Sequence, residues 1–165
     1  MSEAILDASP LIHLAELNAL DVLSDFASLL IPDTVWKEVE RYQPTALNHP
    51  GLALHYVPTP VAYNNLQVLA QAFSLSQGEV EALALLPDHP GAMFLTDDAA
   101  ARLVAEQLGF RVHGTIGLLI RSARQGLRSH EDILHLLQNL PGISTLYIRP
   151  SFLREIIEQL EGEWQ

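Results

Sequence analysis

Short apolar runs alternate with longer amphipathic segments along the chain. The apolar runs are typical of buried strands and lie at residues 4–7, 28–32, 91–96 and 110–114, with a weaker run at 53–57. The amphipathic segments predict helices over residues 11–17, 18–26, 34–42, 62–73, 77–86, 97–109, 115–126, 129–140 and 150–161. Strands that alternate with helices predict an α/β fold, a three-layer sandwich with a central parallel sheet.

Acidic residues directly follow two of the predicted strands. Asp7 ends the run at 4–7, and the adjacent Asp97 and Asp98 directly follow the run at 91–96. Ligands of open parallel sheets bind at the carboxyl ends of the strands, which gives these positions functional meaning. Two explanations of the aspartate pair stay open. The pair binds a cation, or it caps the following helix, with Asp97 as the N-cap and Asp98 favoured by the helix dipole.

Two glutamates fall on helix faces that the apolar pattern turns inward. Glu38 lies three residues after Val35, on the predicted buried stripe of its helix. Glu79 projects toward the apolar side of its helix, whereas Glu81 projects away from it. A carboxylate that points inward has to be paired or bind a metal ion. Pairing of Glu38 with Arg41 is the alternative explanation for the first of them.

Local turns add a possible anion site and two helix starts. The predicted strand 110–114 ends at Gly114, and Thr115 opens the next helix, so backbone amides here are suited to a phosphate group. A simple tight turn is the alternative. Ser9 is predicted to be the N-cap of the first helix, and Asp33 that of the helix over 34–42.

Composition narrows the classes of function. The net charge of −11 argues against a protein that binds nucleic acid through a broad basic surface, but not against a nuclease with acidic groups around a metal. The chain has no cysteine, which excludes disulfides and thiolate metal sites. No apolar stretch is long enough to span a membrane, and no secretory signal is visible, so a cytoplasmic location is expected.

Four stretches in order resemble a PIN domain of the toxin-like bacterial and archaeal branch. They are DASPLIHLAEL, IPDTVWKEV, SQGEVEALAL and FLTDDAAARLVAEQLGFRVHGTIGLL, and the resemblance covers about residues 4–126. It implies an α/β/α sandwich whose acidic cluster binds Mg²⁺ or Mn²⁺ and cleaves single-stranded RNA. It also implies that the chain is the toxin of a toxin–antitoxin pair, with an antitoxin protein as its partner.

The resemblance also assigns the site residues. The four acidic positions of the family fall on Asp7, Glu38, Glu79 and Asp98, with Glu81 as a rival for the third and Asp97 as a further metal ligand. By position and turn chemistry, Ser9, Gly114 and Thr115 are predicted to bind the substrate phosphate. The family more often has aspartate at the third position, so Glu79 is a departure that would alter the metal geometry.

Residues 1–126 are therefore expected to form the PIN-like catalytic core, and residues 127–165 a helical extension that packs on it. The extension is also suited to a homodimer contact or to an antitoxin. A non-catalytic PIN-fold interaction module is the alternative function. An aspartyl-phosphate protein is disfavoured, because the only lysine, Lys37, lies in an early helix rather than after a later strand.

Overall fold

The computed structural model describes residues 2–58 and 64–165. Five parallel strands form one sheet in the order β3-β2-β1-β4-β5. The strands are β1 (Glu3–Leu6), β2 (Ser28–Pro32), β3 (Leu54–Val57), β4 (Met93–Leu95) and β5 (Val112–His113). Within the described residues, eight α-helices connect and flank them: α1 (Ala8–Glu16), α2 (Asp33–Tyr42), α3 (Asn64–Phe73), α4 (Gln77–Leu85), α5 (Ala99–Gln107), α6 (Thr115–Arg124), α7 (His130–Ile143) and α8 (Pro150–Glu163).

Alternation along the strands gives the sheet two buried faces. Ile5 aligns with Leu30 on one neighbouring strand and with Phe94 on the other. These three side chains point to the same face and pack with apolar residues of α4 and α5. The intervening residues, such as Leu6 and Leu95, face a second core built with α1, α2, α6, α7 and α8. The predicted three-layer α/β/α sandwich is thereby confirmed.

The C-terminal helices belong to the second of these cores. Leu137 and Leu140 of α7 are completely buried, and Leu153 and Leu160 of α8 are nearly so. All four pack in the cluster that contains the apolar side of α1 and α6. Within the described part of the chain, no helix combines the length and the apolar character that crossing a membrane requires.

Several predicted boundaries are wrong in detail. The segment predicted as a helix over 18–26 forms only a short 3₁₀ helix at Leu20–Leu23. α2 begins at Asp33 itself, with Pro32 in the cap position and no side-chain cap. Tyr42, which the apolar stripe of α2 placed inside, is 56% exposed. The first two residues of the helix predicted over 62–73 lie outside the described residues.

The strand order places a topological switch point between β1 and β4. From β1 the chain continues to β2 and β3 on one side, and β4 and β5 lie on the other side. Because connections leave in opposite directions there, a crevice opens at the carboxyl ends of β1 and β4. Leu6 and Leu95 are aligned at the ends of these strands, so Asp7 and the segment from Thr96 to Asp98 enter the crevice together.

Candidate active site

Asp7 occupies the centre of this sheet edge. Its backbone N–H donates to the carbonyl of Leu95 (2.9 Å), which continues the ladder between β1 and β4 by one residue. Its carboxylate accepts hydrogen bonds from the N–H of Ala8 and from the hydroxyl of Thr96, both at 2.8 Å. Asp7 is therefore the N-cap of α1. The prediction that Ser9 is this cap is wrong, because the helix begins one residue before Ser9.

The environment of Asp7 disfavours its charge. Only 7% of the residue is exposed, and burial raises the pKa of its carboxyl to about 6 although Thr96 and Ala8 donate to it. The nearby charges of Glu38 and Asp98 raise this pKa further. Asp7 is thus a buried acid with the acids Glu38 and Asp98 near it.

Glu79 approaches the same point from the first turn of α4. Ser76 and Glu79 form a capping box, in which the serine hydroxyl accepts from the N–H of Glu79 (3.2 Å) and Oε1 accepts from the N–H of Ser76 (3.1 Å). The second carboxylate oxygen, Oε2, is buried and has no hydrogen-bond partner among the described residues. Burial raises the pKa of Glu79 to about 7, and the charges of Asp7 and Asp98 contribute to the rise.

Asp98 completes the edge from the start of α5. Its Oδ1 accepts from the N–H of Ala101 (2.8 Å), which makes Asp98 the N-cap of that helix. Its own N–H donates to the Thr96 hydroxyl (3.1 Å), and the same hydroxyl donates to Asp7. The residue is exposed, so its carboxylate borders the solvent. The capping role that we predicted for Asp97 belongs to Asp98.

Asp97 is held by hydrogen bonds on the other side of the same loop. Its carboxylate accepts from His13 (2.7 Å) and from both the N–H (2.6 Å) and the hydroxyl (2.7 Å) of Thr115. Burial alone would raise the pKa of Asp97, but these bonds hold it below its usual range. Asp97 therefore ties the end of β4 to α1 and α6, and its role as a metal ligand stays a prediction.

Thr115 and Gly114 serve this connection. Thr115 is completely buried and both of its donors are taken by Asp97, and its role in binding phosphate stays a prediction. A Cβ atom on Gly114 would lie 2.7 Å from Oδ1 of Asp97, so a side chain there would displace the carboxylate. Gly114 thus permits the close approach of Asp97 to α6. Ser9 also supports the loop, since its hydroxyl accepts from the N–H of Asp97 (3.3 Å).

The burial of Glu38 and Glu81 is the reverse of what the helix faces predicted. Glu38 is exposed rather than inward, although its charge still contributes to the raised pKa of Asp7. Together with Ser9 it lines a recess of about 410 Å³ that opens beside the sheet edge. Glu81 is only 1% exposed, and its carboxylate accepts hydrogen bonds from the N–H and hydroxyl of Thr34 and from the Gln77 amide.

The comparison with protein families decides the fold family. The model of DUF3368, described as a PIN domain, matches residues 3–162. The chain belongs to the PIN domain family. The family resemblance seen in the sequence is confirmed, and the match continues beyond residue 126, where that resemblance ended. A search of curated proteins gives no match.

Family membership gives the acidic edge a coarse meaning. PIN domains are generally nucleases and typically bind divalent metals, so this chain has a nuclease-type fold. Among the described residues of this PIN domain, no group of three or more acidic, histidine or cysteine side chains is already arranged to hold a metal ion. The chemistry of the donors nevertheless fits one. Hard divalent cations prefer carboxylate oxygens, and Oε2 of Glu79 is a buried oxygen without a partner.

Two residues of the site escaped the sequence reasoning. Thr96 links Asp7 to Asp98 through a hydroxyl that is completely buried, and His13 pairs with Asp97 at a separation of 84 residues in the chain. A signal for Thr96 was present, because a polar residue ended an otherwise apolar strand. The sequence contains no corresponding signal for His13, because a lone histidine on an amphipathic helix is ordinarily a half-buried residue with no part in a functional site.

The replacement Gly114→Ala tests the bracing of Asp97 in this PIN domain. The added methyl would meet the Asp97 carboxylate at 2.7 Å, and we expect a loss of about 1–3 kcal/mol in the free energy of unfolding. Chemical denaturation measures this loss. The matched control is Gly142→Ala in α7, where a Cβ would meet nothing within 4 Å and the variant should be no less stable than the wild type. Equal stability of the two variants would contradict the close approach.

The replacement Glu81→Ala tests whether the Glu81 carboxylate stabilises the fold rather than belonging to the acidic site. The change leaves the N–H and hydroxyl of Thr34 without their acceptor at the start of α2, and we expect a loss of about 2 kcal/mol in unfolding free energy. Glu40→Ala on the exposed side of α2 is the control and should change stability by less than about 0.5 kcal/mol. Urea denaturation compares them. If the Glu81 variant is as stable as the wild type, the carboxylate does not hold α2 to α4.

Proposed function

We propose that this PIN domain is a divalent-metal-dependent endoribonuclease that hydrolyses phosphodiester bonds of single-stranded RNA. The observation that carries the proposal is the buried Oε2 atom of Glu79, which has no partner and lies within the electrostatic influence of Asp7 and Asp98. A site built only for stability would neutralise such an atom with a hydrogen-bond donor. Mg²⁺ and Mn²⁺ are the cations that suit these oxygen ligands.

The residues of the site contribute in different ways. Asp7 and Glu79 supply buried carboxylates that have fixed positions, because each is also the cap of a helix or part of a capping box. Asp98 and Glu38 supply exposed carboxylates that reach the same region from the solvent side. When bound there, a divalent cation lowers the pKa of a coordinated water and stabilises charge on the scissile phosphate.

The remaining residues hold these carboxylates in place. Thr96 donates to Asp7 and accepts from the N–H of Asp98, so one hydroxyl fixes the distance between β1 and the start of α5. Asp97 ties the same loop to α1 and α6 through His13 and Thr115. Ser9 faces the recess that Glu38 also lines, which suits its hydroxyl to a phosphate oxygen of the substrate.

Cleavage of a labelled single-stranded RNA tests the proposal. The purified protein is expected to cleave it with Mn²⁺ or Mg²⁺, and addition of EDTA in excess should stop the reaction. Because the nucleophile is water, the products should carry no 2′,3′-cyclic phosphate, and replacement of the 2′-hydroxyl at the cleavage site by hydrogen should preserve cleavage. Cyclic phosphate products or activity in EDTA would contradict the mechanism.

If the purified protein neither cleaves RNA nor is stabilised by Mn²⁺, the alternative function, a non-catalytic PIN-fold interaction module, is favoured. The toxin role, the antitoxin partner, the homodimer and the cytoplasmic location stay predictions from the sequence.

A further inference from the structure

A groove of about 540 Å³ is lined in part by Asp97, next to Asp98 of the acidic edge. Arg102 also lines it and follows one turn after Asp98 on α5. The other walls are α6, the segment 146–149 between α7 and α8, and the first turns of α8. The groove is therefore continuous with the loop that carries Asp97 and Asp98.

The rim and floor of this groove differ in character. Ile116, Ile120 and Ile156 form an apolar floor. Tyr147 and Phe152 stand at the rim, with 84% and 51% of each residue exposed. Exposed aromatic rings beside an apolar floor are costly in water unless a partner covers them, and flat rings suit the faces of nucleic-acid bases.

The charge of this region is opposite to that of the protein. The chain has a net charge of −11, yet Arg102 and Arg149 both line the groove. Burial lowers the pKa of His113 on the adjoining strand β5, and the charges of four arginines (102, 111, 121 and 124) lower it further. Asp97 is the acidic residue among the described lining, and its carboxylate accepts three hydrogen bonds from His13 and Thr115.

We propose that this groove binds the single-stranded RNA on one side of the cleavage position, with a base stacked on Tyr147 and phosphates paired with Arg102 and Arg149. The inference rests on the proposed function, because the acidic edge defines where the scissile phosphate lies. Arginine next to exposed aromatic rings is the combination that recognises unpaired nucleotides, whose bases are free to stack. A peptide in the same groove would use the apolar floor and would not need the arginines.

Binding without cleavage tests the groove separately from the chemistry. The probe is a fluorescein-labelled 12-nucleotide single-stranded RNA of mixed sequence, and the anisotropy titration is made in EDTA, where hydrolysis is blocked. Tyr147→Ala is expected to weaken binding about tenfold, whereas Tyr147→Phe, which keeps the ring, should bind within about twofold of the wild type. Arg149→Gln should weaken binding and lower the slope of log Kd against log salt by about 1.

The control for charge is Arg154→Gln, an exposed arginine of α8 outside the groove lining, which should leave the salt slope unchanged. Equal binding by Tyr147→Ala and the wild type would overturn the groove and leave the nuclease proposal standing. Weakened binding by Tyr147→Ala in a protein that cleaves no RNA would support the groove and reject the nuclease. If the wild type binds no single-stranded RNA at low salt, the proposal is wrong and a peptide becomes the better occupant.

Discussion

Asp98→Asn is expected to reduce metal-dependent RNA cleavage about a thousandfold or more while leaving the fold intact. Asparagine is as good an N-cap as aspartate, so the bond from the Ala101 N–H to the side chain at the start of α5 is retained. The change removes one negative charge from an exposed carboxylate at the sheet edge. Loss of a metal ligand forfeits several kcal/mol of transition-state stabilisation, which corresponds to about this factor.

Single-turnover cleavage of the labelled RNA in Mn²⁺ measures the loss, and thermal unfolding in EDTA checks the fold. Glu106→Gln is the matched control, because it removes the same charge from an exposed position on the same helix. This control should retain full activity. A variant Asp98→Asn that cleaves at the wild-type rate would exclude Asp98 from the site.

Much of the fold follows from signals that are local in the sequence. The apolar runs ending at Leu6 and Leu95 are short, rich in aliphatic residues and bounded by polar residues, so strand and strand end are both visible in the chain. The parallel arrangement follows from the helices between the strands. Position at a strand end then places Asp7 and Asp98 at one sheet edge, because neighbouring parallel strands end on the same side.

Helix periodicity predicts the burial of Glu79 correctly, but not the exposure of Glu38 or the burial of Glu81. Periodicity predicts which side of a helix faces a core, but α4 is buried nearly all round and has two inward-facing sides. Glu79 and Glu81 therefore both became buried, and only their partners distinguish them. Thr34, which binds Glu81, lies 47 residues away in the chain, a pairing that no local pattern can show.

The different roles of Asp97 and Asp98 also depend on contacts that no local pattern in the sequence shows. Both fit an N-cap by sequence, and the decision depends on where α5 begins, which sequence reasoning fixes only to within a residue or two. The structure starts α5 at Ala99 and makes Asp98 the cap. His13 and Thr115 then draw Asp97 to the opposite side of the loop through contacts between distant segments.

Asp7→Asn is expected to stabilise the metal-free protein at pH 7.5 by about 2 kcal/mol while abolishing its activity. The pKa of Asp7 is about 6 in the folded state against 3.8 for an ordinary aspartate, a difference of about 2 pH units. At about 1.4 kcal/mol per unit, the buried charge costs at most about 3 kcal/mol above pH 6. Asparagine removes the charge but loses the acceptor for the Thr96 hydroxyl, so the net gain is smaller.

The sign of the pH dependence follows from the same values. Between about pH 4 and pH 7 the folded state binds more protons than the unfolded state, because the pKa values of Asp7 and Glu79 are both raised. The stability of the metal-free wild type should therefore fall as the pH rises through this window. Asp97 and Asp21, whose pKa values are lowered, contribute their losses only at lower pH. The lowered pKa of His113 acts in the opposite direction just below pH 6.5, because the unfolded histidine binds more protons there, and it makes the fall less steep near pH 6. Asp7→Asn should flatten the decline above pH 5.

Denaturation in EDTA between pH 5 and pH 8 measures this decline, and Mn²⁺ provides the decisive contrast. A cation at Asp7 and Glu79 compensates their charges, so the wild type at pH 7.5 should gain about 2.7 kcal/mol when Mn²⁺ is present at a hundred times its Kd. The variant Asp7→Asn should gain little. If Mn²⁺ stabilises both proteins equally, the cation binds elsewhere and Asp7 is not one of its ligands.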